Sequence, residues 1–263
     1  MHRESCLIDL VFPGETNHHG TLFGGSALAY MDKLAYIIAT RHGHCDFVTA
    51  SCEKIDFAAP ARLSQIVEVK GRIIRIGHRS LTVETDLMAE DVKTGERHLC
   101  SRGCFNIVTA DPTVTVPPLI DDGVTQPQSD SVQMIELVFP DQSSHRQVLF
   151  GGYALAVMGK AAFVAATRLC RKTVVMAASS RMNFTAPVHV GEIMELTAAV
   201  STVGRSSMTV SVTAWGENLL TGERWPAANG SFVMVAVDQN GKATTIGTPL
   251  SLRGNGAEKG VQP

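Results

Sequence analysis

LVFPGETNHHGTLFGGSALAYMDK, residues 10–33, recurs 127 residues further on as LVFPDQSSHRQVLFGGYALAVMGK, residues 137–160. The offset holds without a gap from residues 11–111 onto 138–238, and 37 of those 101 pairs are identical. Ungapped self-similarity over that length marks duplication of one folding unit. Residues 1–111 are read as the first repeat and 132–240 as the second. Between them, residues 112–131 are rich in Pro, Asp, Ser and Gln and read as a linker. Residues 241–263 are Gly-rich and polar and read as a flexible tail.

Each repeat carries Phe-Gly-Gly followed by a run that is apolar almost all round, SALAYMDKLAYIIATR in the first copy and YALAVMGKAAFVAATR in the second. A helix of that kind is expected to be buried on most sides. The rest of the first copy, ASCEKIDF, SQIVEVKGRIIRI, RSLTVETDLMAE and RHLCSRGCFNIVTA, reads as strands punctuated by Pro60, Gly77 and Thr94-Gly95. SSRMNF, IMELTAAVSTV, SSMTVSVTAWGE and WPAANGSFVMVAV are the strands of the second. One helix and four or five antiparallel strands predict the α+β class, with the helix wrapped by the sheet. The two repeats are expected to pack as a pseudo-dimer inside one chain, in which their sheets can join. Each sheet alone leaves an edge and an apolar helix face to cover.

The 263 residues, 44% hydrophobic, suffice for two ordinary cores. A net charge of −2 and a pI near 6.5 give no global basic field, which argues against nucleic acid as a partner. The first residues lack the apolar stretch of a signal peptide, and no run of about 18 uncharged apolar residues announces a membrane span. A soluble cytoplasmic protein is expected. Six cysteines, at 6, 45, 52, 100, 104 and 170, do not recur between repeats and form no zinc pattern. Cys100 and Cys104, four apart, are expected to share a strand face and to pack there as reduced thiols. Neither a G-x-S-x-G elbow nor a phosphate-binding glycine loop occurs. No metal or other cofactor is expected.

The residues that could carry chemistry cluster around the duplicated stretch. Gly24-Gly25 and Gly151-Gly152 stand where each helix begins, where free N–H groups and the positive dipole end lie and where glycine admits a close approach. A tight turn would use the same pair. Asp32 lies inside the apolar run, where an uncompensated carboxylate is costly, unless it sits on a thin solvated stripe. Gly159 occupies the equivalent position in the second repeat. Lys33 recurs as Lys160 without an acid beside it, so the lysine has a role of its own. Asn17, in the loop before Gly-Gly, is a frequent turn residue and is replaced by Ser144, whereas His18 recurs as His145.

Taken together, Thr16-Asn17-His18-His19-Gly20, Phe23-Gly24-Gly25, Met31-Asp32, Phe57-Ala58-Ala59-Pro60 and Gly77-His78-Arg79-Ser80 resemble the hotdog-fold acyl-CoA thioesterases, specifically the cytosolic acyl-CoA hydrolases. Phe150-Gly151-Gly152, residues 182–187, Gly191-Glu192, residues 204–208 and residues 232–238 carry the same resemblance in the second copy. It covers nearly all of both repeats and implies a double hotdog that hydrolyses acyl-CoA to fatty acid and CoA, the CoA being part of the substrate. By that resemblance Asp32 is the catalytic nucleophile or general base, Asn17 orients water or the thioester, and the Gly-Gly helix start polarises the carbonyl. Arg79 and Ser80, with Arg205, Ser206 and Ser207, are then candidate contacts to CoA, since guanidinium suits phosphate. The resemblance also allows a homotrimer of chains.

Asp32 lies seven residues beyond Gly25, roughly 10 Å along the helix axis, too far to serve the same helix start. Its partner is therefore expected across the pseudo-twofold: Asp32 with Gly151, Gly152, Ser144 and His145 in one site, and Asn17, Gly24 and Gly25 with the acid-less position 159 in the other. Two competing functions use the same fold, an acyl-thioester hydratase and an acyl-CoA-binding module without turnover.

Overall fold

The computed structural model describes residues 5–118 and 131–247. The first repeat runs β1 (Cys6–Leu10), α1 (Gly24–Gly43), β2 (Phe47–Phe57), β3 (Ile66–Ile76), β4 (Ser80–Glu90) and β5 (Arg97–Thr109). The second runs β6 (Val132–Leu137), α2 (Gly151–Cys170), β7 (Val174–Ser179), β8 (Asn183–Phe184), β9 (Ile193–Val203), β10 (Ser207–Glu217) and β11 (Arg224–Ala236). The sheets are antiparallel, ordered β1-β3-β4-β5-β2 and β6-β9-β10-β11-β7, with β8 also paired to β11. Each helix packs on its own sheet, burying Met31, Leu34 and Ile37 in one repeat and Met158, Ala162 and Val164 in the other. The two α+β units are those the repeat pattern predicts, and together they form the double hotdog that the family resemblance implies.

The repeats meet through β1 and β6, and the two sheets remain separate ladders among the described residues. Apolar side chains cross the junction in both directions. Ile135, Leu137 and Ile193 join the first core, and Ile8 and Ile66 join the second. Charges cross it in the same reciprocal way. The α1 residue Arg41 reaches Glu195 at 2.8 Å and Glu217 at 2.6 Å, and the α2 residue Arg168 reaches the equivalent Glu68 at 2.6 Å and Glu90 at 2.8 Å. Lys33 pairs with Glu136 and Lys160 with Asp9, which answers why this lysine recurs. The pattern is that of an isologous two-fold contact drawn inside one chain.

The helices are covered along most of their length as expected, with Gly25 and Ala29 of α1 and Tyr153, Leu155 and Ala156 of α2 among the residues left exposed. Three expectations need correction. Cys100 and Cys104 do not share a face. The register slips between the Leu87–Ser101 and Met88–Leu99 pairs, leaving Cys100 as the bulged residue that turns into the core. The tail is not free from residue 241 onward, because Ile246 is buried in the second core and its N–H donates to the Arg205 carbonyl. The linker is docked at its start, where Val116 is buried and the Pro117 carbonyl lies 2.8 Å from His42 Nε2. The remaining linker and tail, 119–130 and 248–263, lie outside the described residues.

Candidate active site

The loop before each helix is built by local hydrogen bonds. In repeat 1 the Asn17 carboxamide oxygen accepts from the His19 N–H at 2.9 Å and the Thr21 N–H at 3.3 Å, closing a turn that ends on Gly20 at φ 69°. In repeat 2 the Ser144 hydroxyl accepts from the Arg146 N–H at 3.3 Å, and Gln147 takes the left-handed position at φ 58°. Asn17 is thus committed to its turn as well as lining a groove. His18 and His145 are exposed on these loops, and His18 lies against the His19 ring at 3.9 Å.

No side chain at Phe23 or Phe150 caps either helix start, and in α2 the Tyr153 N–H donates to the Phe150 carbonyl at 2.9 Å, ahead of which the Gly-Gly N–H groups stand at the positive end of the helix. Each start opens onto an apolar groove. The first, about 360 Å3, is lined by Asn17, Gly24, Phe57, Pro60, Leu87 and Cys100 among others. The second, about 350 Å3, is lined by Leu149, Gly151, Phe184, Pro187, Met194 and Ala227. The bulge forms the groove wall in both, since the carbonyls of Cys100 and Ala227 each accept two N–H groups from the Phe-x-Ala-Pro segment. Burial holds the Cys100 thiol at about 11, so it is no nucleophile near neutral pH. A side chain at Gly151 would meet nothing within 4 Å, whereas one at Gly24 would touch the Phe57 ring at 3.7 Å.

Asp32 lines neither groove. It is half-buried on α1, facing β2, and its carboxylate accepts from the Thr49 hydroxyl at 2.7 Å. The cost of a buried carboxylate is therefore avoided by partial exposure and a hydrogen bond. Thr49 is a residue the sequence reading missed, and nothing in its spacing announces the contact. Gly159 is buried against Met176, in the place an acid would occupy. Within the chain, the structure does not bring Asp32 into the groove of Gly151 and Gly152.

The basic turns are also remote from their own Gly-Gly. Arg79 and Ser80 open β4, seven residues and roughly 23 Å along the strand from Leu87 at the groove. Arg79 donates to Thr109 at 3.4 Å. Arg205, exposed, and Ser206 and Ser207, half-buried, hold the equivalent place beside β10.

Two hotdog units with a helix-start groove in each define a double-hotdog fold. The sequence profile described as "Thioesterase superfamily" matches residues 19–96 and 146–223, and the chain belongs to that superfamily. It is similar to an acyl-CoA hydrolase from Agrobacterium tumefaciens of known structure, at 50% identity and a TM-score of 0.85 over 92% of this chain and 98% of that one. It is 28% identical over 257 residues to acyl-coenzyme A thioesterase 11 of Mus musculus, covering 80% of this chain and 43% of that protein. Over 292 residues it is 21% identical to the cytosolic acyl coenzyme A thioester hydrolase of Homo sapiens, covering 92% of this chain and 77% of that protein. The chain thus spans less than half of the first relative and about three quarters of the second. The TM-score over both repeats also extends the likeness to their mutual arrangement.

Proposed function

We propose that the protein is an acyl-CoA thioester hydrolase, releasing a fatty acid and free CoA. The uncapped helix start at the mouth of an apolar groove carries the reading, because it offers donors to the carbonyl oxygen where negative charge develops. The acyl chain lies in the groove. Asp32 either attacks the carbonyl carbon or takes a proton from the attacking water, and the CoA thiolate leaves. The acid, held by Thr49 on an open strand edge, serves Gly151 and Gly152. Asn17, Gly24 and Gly25 face position 159, which has no acid, so that half binds without turnover. Arg79, Ser80, Arg205, Ser206 and Ser207 serve the CoA phosphates. Turnover needs no added metal or nucleotide.

A homotrimer of chains belongs to the same reading, supported by the strand edges each chain leaves open. So does a cytoplasmic location, supported by the cytosolic relatives. Helix α2 is long and apolar enough to cross a bilayer, but 61% of its most apolar window is buried inside the molecule, as suits a core helix.

The test is thiol release from acyl-CoAs ranging from acetyl to palmitoyl. Wild-type protein should release thiol, and Asp32→Asn should lower kcat by about a hundredfold or more with unchanged circular dichroism. No thiol release from any chain length would overturn the hydrolase reading in favour of binding alone.

A further inference from the structure

The two grooves share a helix start and a bulged wall, but one wall residue separates them chemically. In the first groove the sheet residue opposite Phe57 and Leu87 is Ser101, and in the second the residue opposite Phe184 and Ala214 is Ala228. Ser101 is 2% exposed, lines its groove, and makes no side-chain hydrogen bond to any of the described residues. A buried hydroxyl without a partner is costly, so this one is placed for a group that enters the groove. At the mouth of the same groove Asn17 donates to the Thr21 hydroxyl at 3.0 Å, so those two side chains already have partners. Val148 stands in place of Thr21 in the second groove. There the Thr185 hydroxyl donates to the Pro226 carbonyl at 3.1 Å, and the other side chains of the lining are apolar.

We propose that the first groove is a ligand site of its own, selective for an acyl thioester that carries a hydroxyl on its third carbon. The Gly24–Gly25 helix start holds the thioester carbonyl, and Ser101 bonds the hydroxyl of the chain. Ala228 disfavours such chains in the second groove, which takes unsubstituted acyl groups.

The two anchors are spaced for one short stretch of ligand. A side chain beginning at Gly24 would touch the Phe57 ring at 3.7 Å, and Ser101 is the next residue across the sheet from Phe57, about 5 Å away. A carbonyl oxygen at the helix start and a hydroxyl two carbons further along fit between them. The serine hydroxyl can donate to the ligand oxygen or accept from it, so both hydroxyls are satisfied together. A chain without that oxygen leaves Ser101 unpaired. The opposite holds at Ala228, because an apolar wall rejects an added hydroxyl by up to about a hundredfold. Gly159 supplies no acid, so on the hydrolase reading the first groove holds the hydroxylated thioester without cleaving it. Hydrolysis of the unsubstituted chain in the second groove rests on that reading; binding of the hydroxylated chain in the first does not.

Binding is measured by calorimetry on the full chain carrying Asp32→Asn, which prevents turnover, and Gly151→Leu. A Cβ at Gly151 meets nothing within 4 Å, so leucine fills the second groove without displacing its walls. In this protein 3-hydroxydecanoyl-CoA should bind about fivefold more tightly than decanoyl-CoA, the worth of one neutral hydrogen bond. Adding Ser101→Ala should make the two affinities equal. The fold tolerates that change, since alanine already holds the equivalent place in the second repeat. Equal affinities before the change, a preference that survives it, or no binding of either ligand with circular dichroism matching wild type would overturn the proposal. Separately, Ala228→Ser in the otherwise unaltered chain should raise kcat/KM for 3-hydroxydecanoyl-CoA relative to decanoyl-CoA about fivefold. The hydroxyl has room, because Ala214 lies opposite where the first groove has Leu87. An unchanged ratio refutes the selecting role of position 228. If wild-type protein releases no thiol from either substrate, the hydrolase reading fails and calorimetry alone decides the first groove.

Discussion

Glu90 is the residue whose loss should hurt the fold most. Its side chain is 2% exposed and faces three guanidinium groups: Arg97 and Arg168 at 2.8 Å and Arg171 at 2.7 Å. Burial alone would raise its carboxyl, but Arg168, Arg171 and Arg97 override burial and hold it at about 2. Against an ordinary value of 4.5, that displacement is worth about 3 kcal/mol of folding stability at neutral pH. The folded value is depressed, so this stability is present above the unfolded carboxyl range and is lost as pH falls from about 4.5 toward about 2. Glu90→Gln keeps the shape but leaves the arginines under-compensated, and breaking one side of a buried pair costs about 3–5 kcal/mol. The thermal midpoint at pH 7 should fall by about 10 °C, at roughly 2–4 °C per kcal/mol for a protein of this size. Glu217→Gln is the internal control. Among the described residues it faces Arg41 and Arg224 alone, since His44 stands where the other half has Arg171, and its loss should cost less. Urea unfolding at pH 7 and at steps down to pH 3 measures both. A Glu90→Gln variant within about 0.5 kcal/mol of wild type, or one keeping the wild-type acid slope, would refute the reasoning.

Three further outcomes bear on the site. Thr49→Val should lower kcat about three- to tenfold with little change in KM, since it removes one hydrogen bond that positions Asp32, and Thr49→Ser should restore it. Asn17→Ala should affect kcat far less than Asp32→Asn, because the proposed reading places Asn17 in the half without an acid; equal damage would show that Asn17 and Asp32 serve one site. Gly159→Asp should supply the missing acid with little strain, because the added Cβ meets the end of the flexible Met176 side chain at 2.8 Å and the Phe232 ring at an ordinary 3.9 Å. Asp32→Asn combined with Gly159→Asp should regain thiol release through the Asn17 half, and a double variant as inactive as Asp32→Asn would show that this half lacks more than an acid.

What could be read from the sequence was whatever repeats along the chain. The 127-residue offset gave two units, and the switch from an all-round apolar run to alternating strands gave a helix on a sheet. Features that depend on one residue of register were hidden. A single bulge reverses the inward parity of Cys100, and no composition signal marks it. Asp32 looked buried because its neighbours in sequence are apolar, but burial depends on which side of α1 the sheet leaves open. The junction between repeats did carry a signal that went unused. Arg41, Glu68, Glu90 and Arg97 recur unchanged as Arg168, Glu195, Glu217 and Arg224, a rare coincidence for charged residues on strands and a helix end. Choosing their partners required knowing that β1 and β6 are the edges that meet.

The pattern of what recurs and what has diverged follows from the geometry of the two kinds of edge. Each ion cluster at the β1–β6 junction takes its acids from one repeat and at least one arginine from the other. Losing one member strands buried charges contributed by the opposite repeat, so neither copy can drift alone. At the open edges the constraint is looser. On the proposed hydrolase reading, a pseudo-twofold contact makes two half-sites, and one acid serves one of them. Position 159 carries no carboxylate and position 144 no amide, yet the groove and the bulge of the second repeat are as fully formed as those of the first.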